Sequence, residues 1–109
     1  MADVATRKLL ENDRMIVWEL VLEPGESTGV HTHEYDYMVH VIEGSTLRAT
    51  DAEGNVNDVP LEKDDTFYFT VKDGAALAEN EDGELATTPT HDAQNVGPGR
   101  YREIMVEMK

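Results

Sequence analysis

Apolar residues along this chain fall in short alternating or continuous runs, each closed by a turn-forming residue, the pattern of β-strands. The run Arg14 to Glu23, RMIVWELVLE, ends at Pro24-Gly25 and reads as a strand. Ile16, Trp18, Leu20 and Leu22 lie on one face; Met15, Val17, Glu19 and Val21 lie on the other, so both sides are substantially covered. Tyr37 to Glu43 is a second strand turned by Gly44, and Thr46 to Thr50 continues as a third. Asp51 to Asn55 is a turn, with Gly54 able to take positive φ. Val56 to Leu61 is a short return strand that Pro60 assigns to a sheet edge. A charged turn, Glu62 to Asp65, leads into the strongly β-prone Thr66 to Val71, and a last strand runs from about Arg100 to Met108 after Gly97-Pro98-Gly99.

Two segments leave alternatives open. Met1 to Asp13 is mixed and polar: Arg7 to Glu11 reads as a short helical turn, or residues 1–13 form an arm lying on the body of the protein or on a partner subunit. Gly74 to Thr90 reads as a hairpin of Ala75–Ala78 and Glu84–Thr88 around Asn80-Glu81-Asp82-Gly83, or as a mobile acidic flap. No stretch keeps a helical period over ten residues. Eight or more short strands with turn signals between them predict an all-β sandwich or barrel, and 109 residues predict a single domain spanning 1–109.

Charge and composition narrow the partners. Nine basic residues against 23 acidic give a net charge of −14, the wrong sign for phosphate backbones or anionic lipid, so neither nucleic acid nor membrane is expected as a partner. No apolar run approaches the ~20 residues that span a bilayer, and the N-terminus has no signal-like apolar core. The absence of cysteine removes disulfides, thiolate ligands and a cysteine nucleophile, and suits a reducing, cytoplasmic setting.

The chemistry concentrates in Gly25 to Gly44, GESTGVHTHEYDYMVHVIEG. His31 and His33 are two apart, so on a strand they stand side by side at ~6.5–7 Å between Cα atoms and can lean towards one cation, ~2.0–2.1 Å from each nitrogen. Two ligands do not make a site. His91, within Thr90-His91-Asp92-Ala93-Gln94-Asn95, is the candidate third. His40 falls on the strand face opposite Tyr37 and is read as a packing or subunit-contact histidine. Asp36 and Glu34 are candidates to hold an imidazole from behind, or solvated turn carboxylates. Phe67, Tyr68 and Phe69 read as a core strand whose alternate side chains line a pocket. Arg48, Arg100 and Arg102 are candidate anchors for a substrate carboxylate, or exposed surface cations.

These residues also carry a resemblance. Gly25, His31, His33 and Gly44 fall on the first motif of the cupins, with Tyr37 where that motif has glutamate. His91 and Asn95 fit the end of the second motif, and Asp64-Asp65-Thr66-Phe67 resembles its lead-in, with Asp64 where glycine is common. The run from Thr28 to Val39 resembles a subgroup of small single-domain cupins that includes ones associated with β-alanine breakdown. The resemblance implies a double-stranded β-helix (jelly-roll barrel), a homodimer, and a metal in the barrel mouth held by His31, His33 and His91.

Three imidazoles would leave a divalent ion (Fe, Zn, Mn, Ni or Cu) more cationic than a site that includes a carboxylate, favouring an anionic oxygen ligand. Tyr37 is read either as a catalytic group, a phenolate ligand or a phenol donating to bound substrate, or as an aromatic filling the barrel. The expected function is a metal-dependent enzyme, an oxygenase or one using metal-assisted proton chemistry, acting on a small organic acid. The alternative is a non-catalytic cupin that binds or senses a small molecule.

Overall fold

The computed structural model describes residues 2–80 and 83–109. They form eleven strands: β1 (Arg7–Glu11), β2 (Met15–Leu22), β3 (His31–Thr32), β4 (Asp36–Glu43), β5 (Ser45–Asp51), β6 (Val56–Leu61), β7 (Thr66–Lys72), β8 (Ala75–Asn80), β9 (Gly83–Thr87), β10 (Thr90–Asn95) and β11 (Tyr101–Met108). A seven-stranded antiparallel sheet has the order β1-β2-β11-β4-β7-β8-β9, and a four-stranded one the order β3-β10-β5-β6. Among the described residues no helix is long and apolar enough to cross a membrane.

The predicted strands are present within one or two residues of their expected ends, and Pro60 does lie on an edge strand. The helical turn read for Arg7 to Glu11 is not formed. That segment is β1, paired antiparallel with β2, with Arg7 opposite Glu19 and Glu11 opposite Ile16. Open backbone groups on β2 offered it a ladder, and a five-residue segment is too short to sustain a helix against that. The segment from 74 to 90 is the hairpin, with Ala76 opposite Thr87 and Asn80 opposite Gly83; Glu81 and Asp82 lie outside the described residues.

In the large sheet, cross-strand rows point into the barrel. Tyr37 of β4 lies opposite Phe69 of β7 and Glu107 of β11. Val39 lies opposite Phe67 and Met105, and Val41 opposite Glu103. Val39, Val41, Tyr37, Leu20, Leu22, Leu47, Tyr101 and Met105 form the main core between the two sheets. On the outer face of β2, Glu19 is buried instead by cations: it accepts from Arg7 Nε at 2.8 Å and Arg102 Nε at 2.7 Å, which hold its carboxyl below the usual range.

Two backbone features close the barrel. A Cβ at Gly44 would stand 2.4 Å from the Leu61 carbonyl oxygen, so the β4–β5 turn can pass over the end of β6 only with glycine there. Asp64, in the glycine-like position of its turn, has φ of +72° and carries the cost of a side chain in the left-handed region. Asn95 ties the far end together. Its amide donates to the carbonyls of Leu22 and Gly99, both at 2.8 Å, and its oxygen accepts from Ser45 Oγ at 2.7 Å and Gly97 N–H at 3.0 Å.

Candidate metal centre

Strand β10 lies between β3 and β5, and its register on β3 sets His91 directly across from His31. Directly opposed residues have Cβ atoms about 4.5–5.5 Å apart, so strand pairing alone brings these two rings together. His33 follows on the same face, its N–H held by the Pro89 carbonyl at 2.9 Å just ahead of β10. The ring centroids are 4.9 Å apart for His31–His33, 4.7 Å for His31–His91 and 4.9 Å for His33–His91. One nitrogen from each ring falls within 4.8 Å of the others.

The outer nitrogens say which way the inner ones face. His31 Nδ1 lies 2.9 Å from the Gly29 carbonyl and His91 Nδ1 lies 2.9 Å from the Thr88 carbonyl. A carbonyl only accepts, so both Nδ1 atoms carry the proton and both Nε2 atoms present lone pairs. His33 Nε2 stands 3.2 Å from His91 Nε2. Two nitrogens bound at ~2.1 Å to one cation with tetrahedral or octahedral angles are roughly 3.0–3.4 Å apart, so this spacing fits a shared ion.

His33 sharpens that test. Its Nδ1 is buried without a hydrogen-bond partner among the described residues and sits 3.8 Å from Glu107 Oε2. With no cation, a neutral His33 must either turn an Nε2 lone pair towards that of His91 or turn an Nδ1 lone pair towards a carboxylate. A cation among the Nε2 atoms removes the conflict, because His33 can then direct its Nδ1 proton at Glu107. Burial pushes the His91 imidazole down to about 3, aided by the neighbouring His33 and His31, and burial also lowers His31. Rings kept neutral in this way are in the ligating state.

No protein-family model and no curated protein matches the sequence. Solved structures do match the fold. A cupin domain from Bordetella pertussis Tohama I aligns with a TM-score of 0.71 at 20% identity, covering 94% of this chain and 90% of that one. An uncharacterised protein with a double-stranded β-helix domain from Klebsiella pneumoniae aligns at 0.61 and 19% identity, over 93% and 72%. The polyketide cyclase RemF from Streptomyces resistomycificus aligns at 0.56 and 18% identity, over 94% of this chain and 62% of that chain. The fold is the cupin double-stranded β-helix.

Inside this cupin barrel a cavity of about 130 Å³ is lined from both sheets, with the three histidines, Tyr37, Phe67 and Phe69 among its walls. Tyr37 is almost wholly buried, its ring stacked between His33 (4.0 Å between centroids, 15° between planes) and Phe69 (4.4 Å, 7°). Burial, and then the charges of Glu103 and Glu107, raise its phenol well above the usual range, so in the metal-free chain the hydroxyl keeps its proton. The stack also bears on the packing reading of Tyr37: the ring fills the barrel and braces His33 at once.

Other sequence candidates are used elsewhere. The Asp36 carboxylate accepts from the Val71 N–H at 2.9 Å and the Tyr68 hydroxyl at 3.3 Å, and Glu34 is exposed. His40 is outside the cluster, with Nδ1 2.8 Å from Thr66 Oγ1. Arg48 pairs with Asp58, Arg100 with Glu43 and Arg102 with Glu19, and none of the three lines the cavity. Asn95 has all its donors and acceptors engaged by the barrel and does not line the cavity either.

Two residues escaped the sequence reading, Glu103 and Glu107. Both lie on the buried face of β11. Alternation puts residues 101, 103, 105 and 107 on one face, but with Ile104 and Val106 on the other it does not say which face is the inner one. Glu107 stands behind His33, and its other oxygen accepts the Trp18 Nε1–H at 2.7 Å. Glu103 lines the cavity itself.

Proposed function

We propose that this chain is a divalent-metal-dependent cupin enzyme that acts on a small organic acid, with the metal held by His31, His33 and His91. The observation that carries the reading is the three-ring geometry, with two Nδ1 atoms committed to backbone carbonyls and the inner nitrogens converging. A divalent ion there would supply Lewis acidity at a bound oxygen and, if redox-active, access to oxygen chemistry.

The chain's own side chains supply the rest. Glu107 orients His33. Tyr37, with its proton retained, donates from the wall to a cavity ligand, and Phe67 and Phe69 exclude water. A cavity of about 130 Å³ suits a ligand of about benzene size or smaller, since an apolar cavity of about 150 Å³ takes up benzene. That size agrees with the resemblance of the Thr28–Val39 run to small cupins associated with β-alanine breakdown. The existence of a polyketide cyclase on this fold is compatible with catalysis. A cytoplasmic homodimer completes the proposal: edge strand β1 leaves Leu9 and Leu10 exposed, and light scattering tests the pairing.

Elemental analysis of protein made without a histidine tag tests the metal. The expected result is about one equivalent of Fe, Zn, Mn, Ni or Cu per chain, lost in His91→Ala. No metal as purified and none taken up on titration overturns the reading. Oxygen uptake with short organic acids, measured on the loaded protein, then separates oxygenation from proton chemistry. Ligand-induced thermal shifts that chelators leave unchanged, without turnover, would instead support a binding or sensing cupin.

A further inference from the structure

Glu103 is a carboxyl in the wrong place for a structural residue. It lies on an interior strand of the seven-stranded sheet, directly opposite Leu20 on β2 and Val41 on β4, both aliphatic. The neighbouring Arg102 faces the other side and is taken up by Glu19. One Glu103 oxygen accepts the Tyr101 hydroxyl at 2.7 Å; the other is buried with no partner among the described residues. An unsatisfied buried polar atom costs stability that leucine at this position would not, and such exceptions call for an explanation in function. The residue lines the same cavity as the three histidines, yet lies four residues along β11 from Glu107, the carboxylate beside His33. Four residues of strand span about 13 Å between Cα atoms.

We infer that Glu103, braced by Tyr101, is a second recognition point of the cavity, binding a hydroxyl or carbonyl at the end of the ligand remote from the histidines. The inference rests on the proposed three-histidine site for the other end. It narrows the ligand class to short hydroxy- or oxo-monocarboxylic acids. The carboxylate goes to the cationic end, an apolar body of a few carbons crosses Val39, Phe67 and Met105, and a neutral oxygen meets Glu103. Burial favours the protonated form of Glu103 near neutral pH, which lets it both donate to and accept from such a group. A second carboxylate at that end would meet an acidic group in an apolar setting and is selected against.

The test compares 4-hydroxybutanoate with pentanoate, which match in size and differ only by a terminal hydroxyl in place of a methyl. Both are titrated by calorimetry or NMR into wild type, Glu103→Gln and Glu103→Leu, each in metal-loaded and metal-free form. The hydroxy-to-alkyl affinity ratio is expected to fall about tenfold or more in Glu103→Leu and less in Glu103→Gln, with metal content unchanged. A ratio that is the same in wild type and Glu103→Leu, a wild-type preference for pentanoate, or failure of both acids to bind at millimolar concentration overturns the inference. The wild-type preference needs no variant to fold. Absence of metal in the same samples counts against the three-histidine reading alone, because the metal-free ratio still judges Glu103.

Discussion

His33 Nδ1 faces Glu107 Oε2 across 3.8 Å, and Glu107 is the residue directly opposite Tyr37 in the β4–β11 pairing. The cupin motif that this chain resembles has a carboxylate where Tyr37 stands. Here a carboxylate sits one strand over and behind a histidine, where it would orient the ring and offset the charge of a bound cation from a distance.

Replacing that carboxylate should therefore weaken the site without dismantling it. Glu107→Gln keeps the shape and an acceptor for Trp18 but removes the charge. Metal affinity, measured by competition with a chelator, is expected to fall about 10–100-fold. Unchanged affinity would show that Glu107 is only a packing partner of Trp18.

Tyr37→Phe removes a hydroxyl and leaves both ring stacks. Stability should change by no more than about 1 kcal/mol, with metal content retained. With the Tyr37 ring held flat between His33 and Phe69 as a wall of the cavity, iron(III)-loaded wild type should show no phenolate charge-transfer band. A band that is present in wild type and absent in Tyr37→Phe would make Tyr37 a ligand.

Burial lifts the Glu103 carboxyl from 4.5 to about 7. Between those values the folded chain holds a proton that the unfolded chain has released, so this group's contribution to stability falls as pH rises through the window and is level above it. The full change is about 3 kcal/mol. His31 and His91 act in the opposite sense, since their lowered values make stability fall as pH drops below 6.5. Comparing metal-free wild type with Glu103→Gln at each pH cancels the imidazoles. The variant should gain on wild type by about 3 kcal/mol from pH 4.5 to 7 in urea unfolding, as the released proton requires. A pH-independent difference would mean that Glu103 ionises as an ordinary carboxyl.

Asn95→Ala should act on stability alone. It strips the Leu22 and Gly99 carbonyls of their donors in a buried setting, a loss of about 2–4 kcal/mol. The folded variant should bind metal as wild type does. A metal defect with little loss of stability would assign Asn95 to the site instead.

The histidine pair and most strand positions were legible because they depend on neighbours in the chain. A period of two, a proline and a glycine act locally, and His31 and His33 share a face by spacing alone. The fate of the arginines was not legible. Each pairs with a carboxylate from a different segment of the chain, and the sequence holds 23 acidic residues to choose from.

By itself the sequence determined an all-β chain with its turns, its edge at Pro60 and two imidazoles side by side. Only the tertiary structure decided that His91 lies across from His31, and that β11 turns Glu103 and Glu107 inward. Both outcomes depend on register, and a slip of one residue would send every side chain of a strand to the opposite face. Local pattern is silent on that choice when both faces of a strand carry apolar residues; long-range packing makes it.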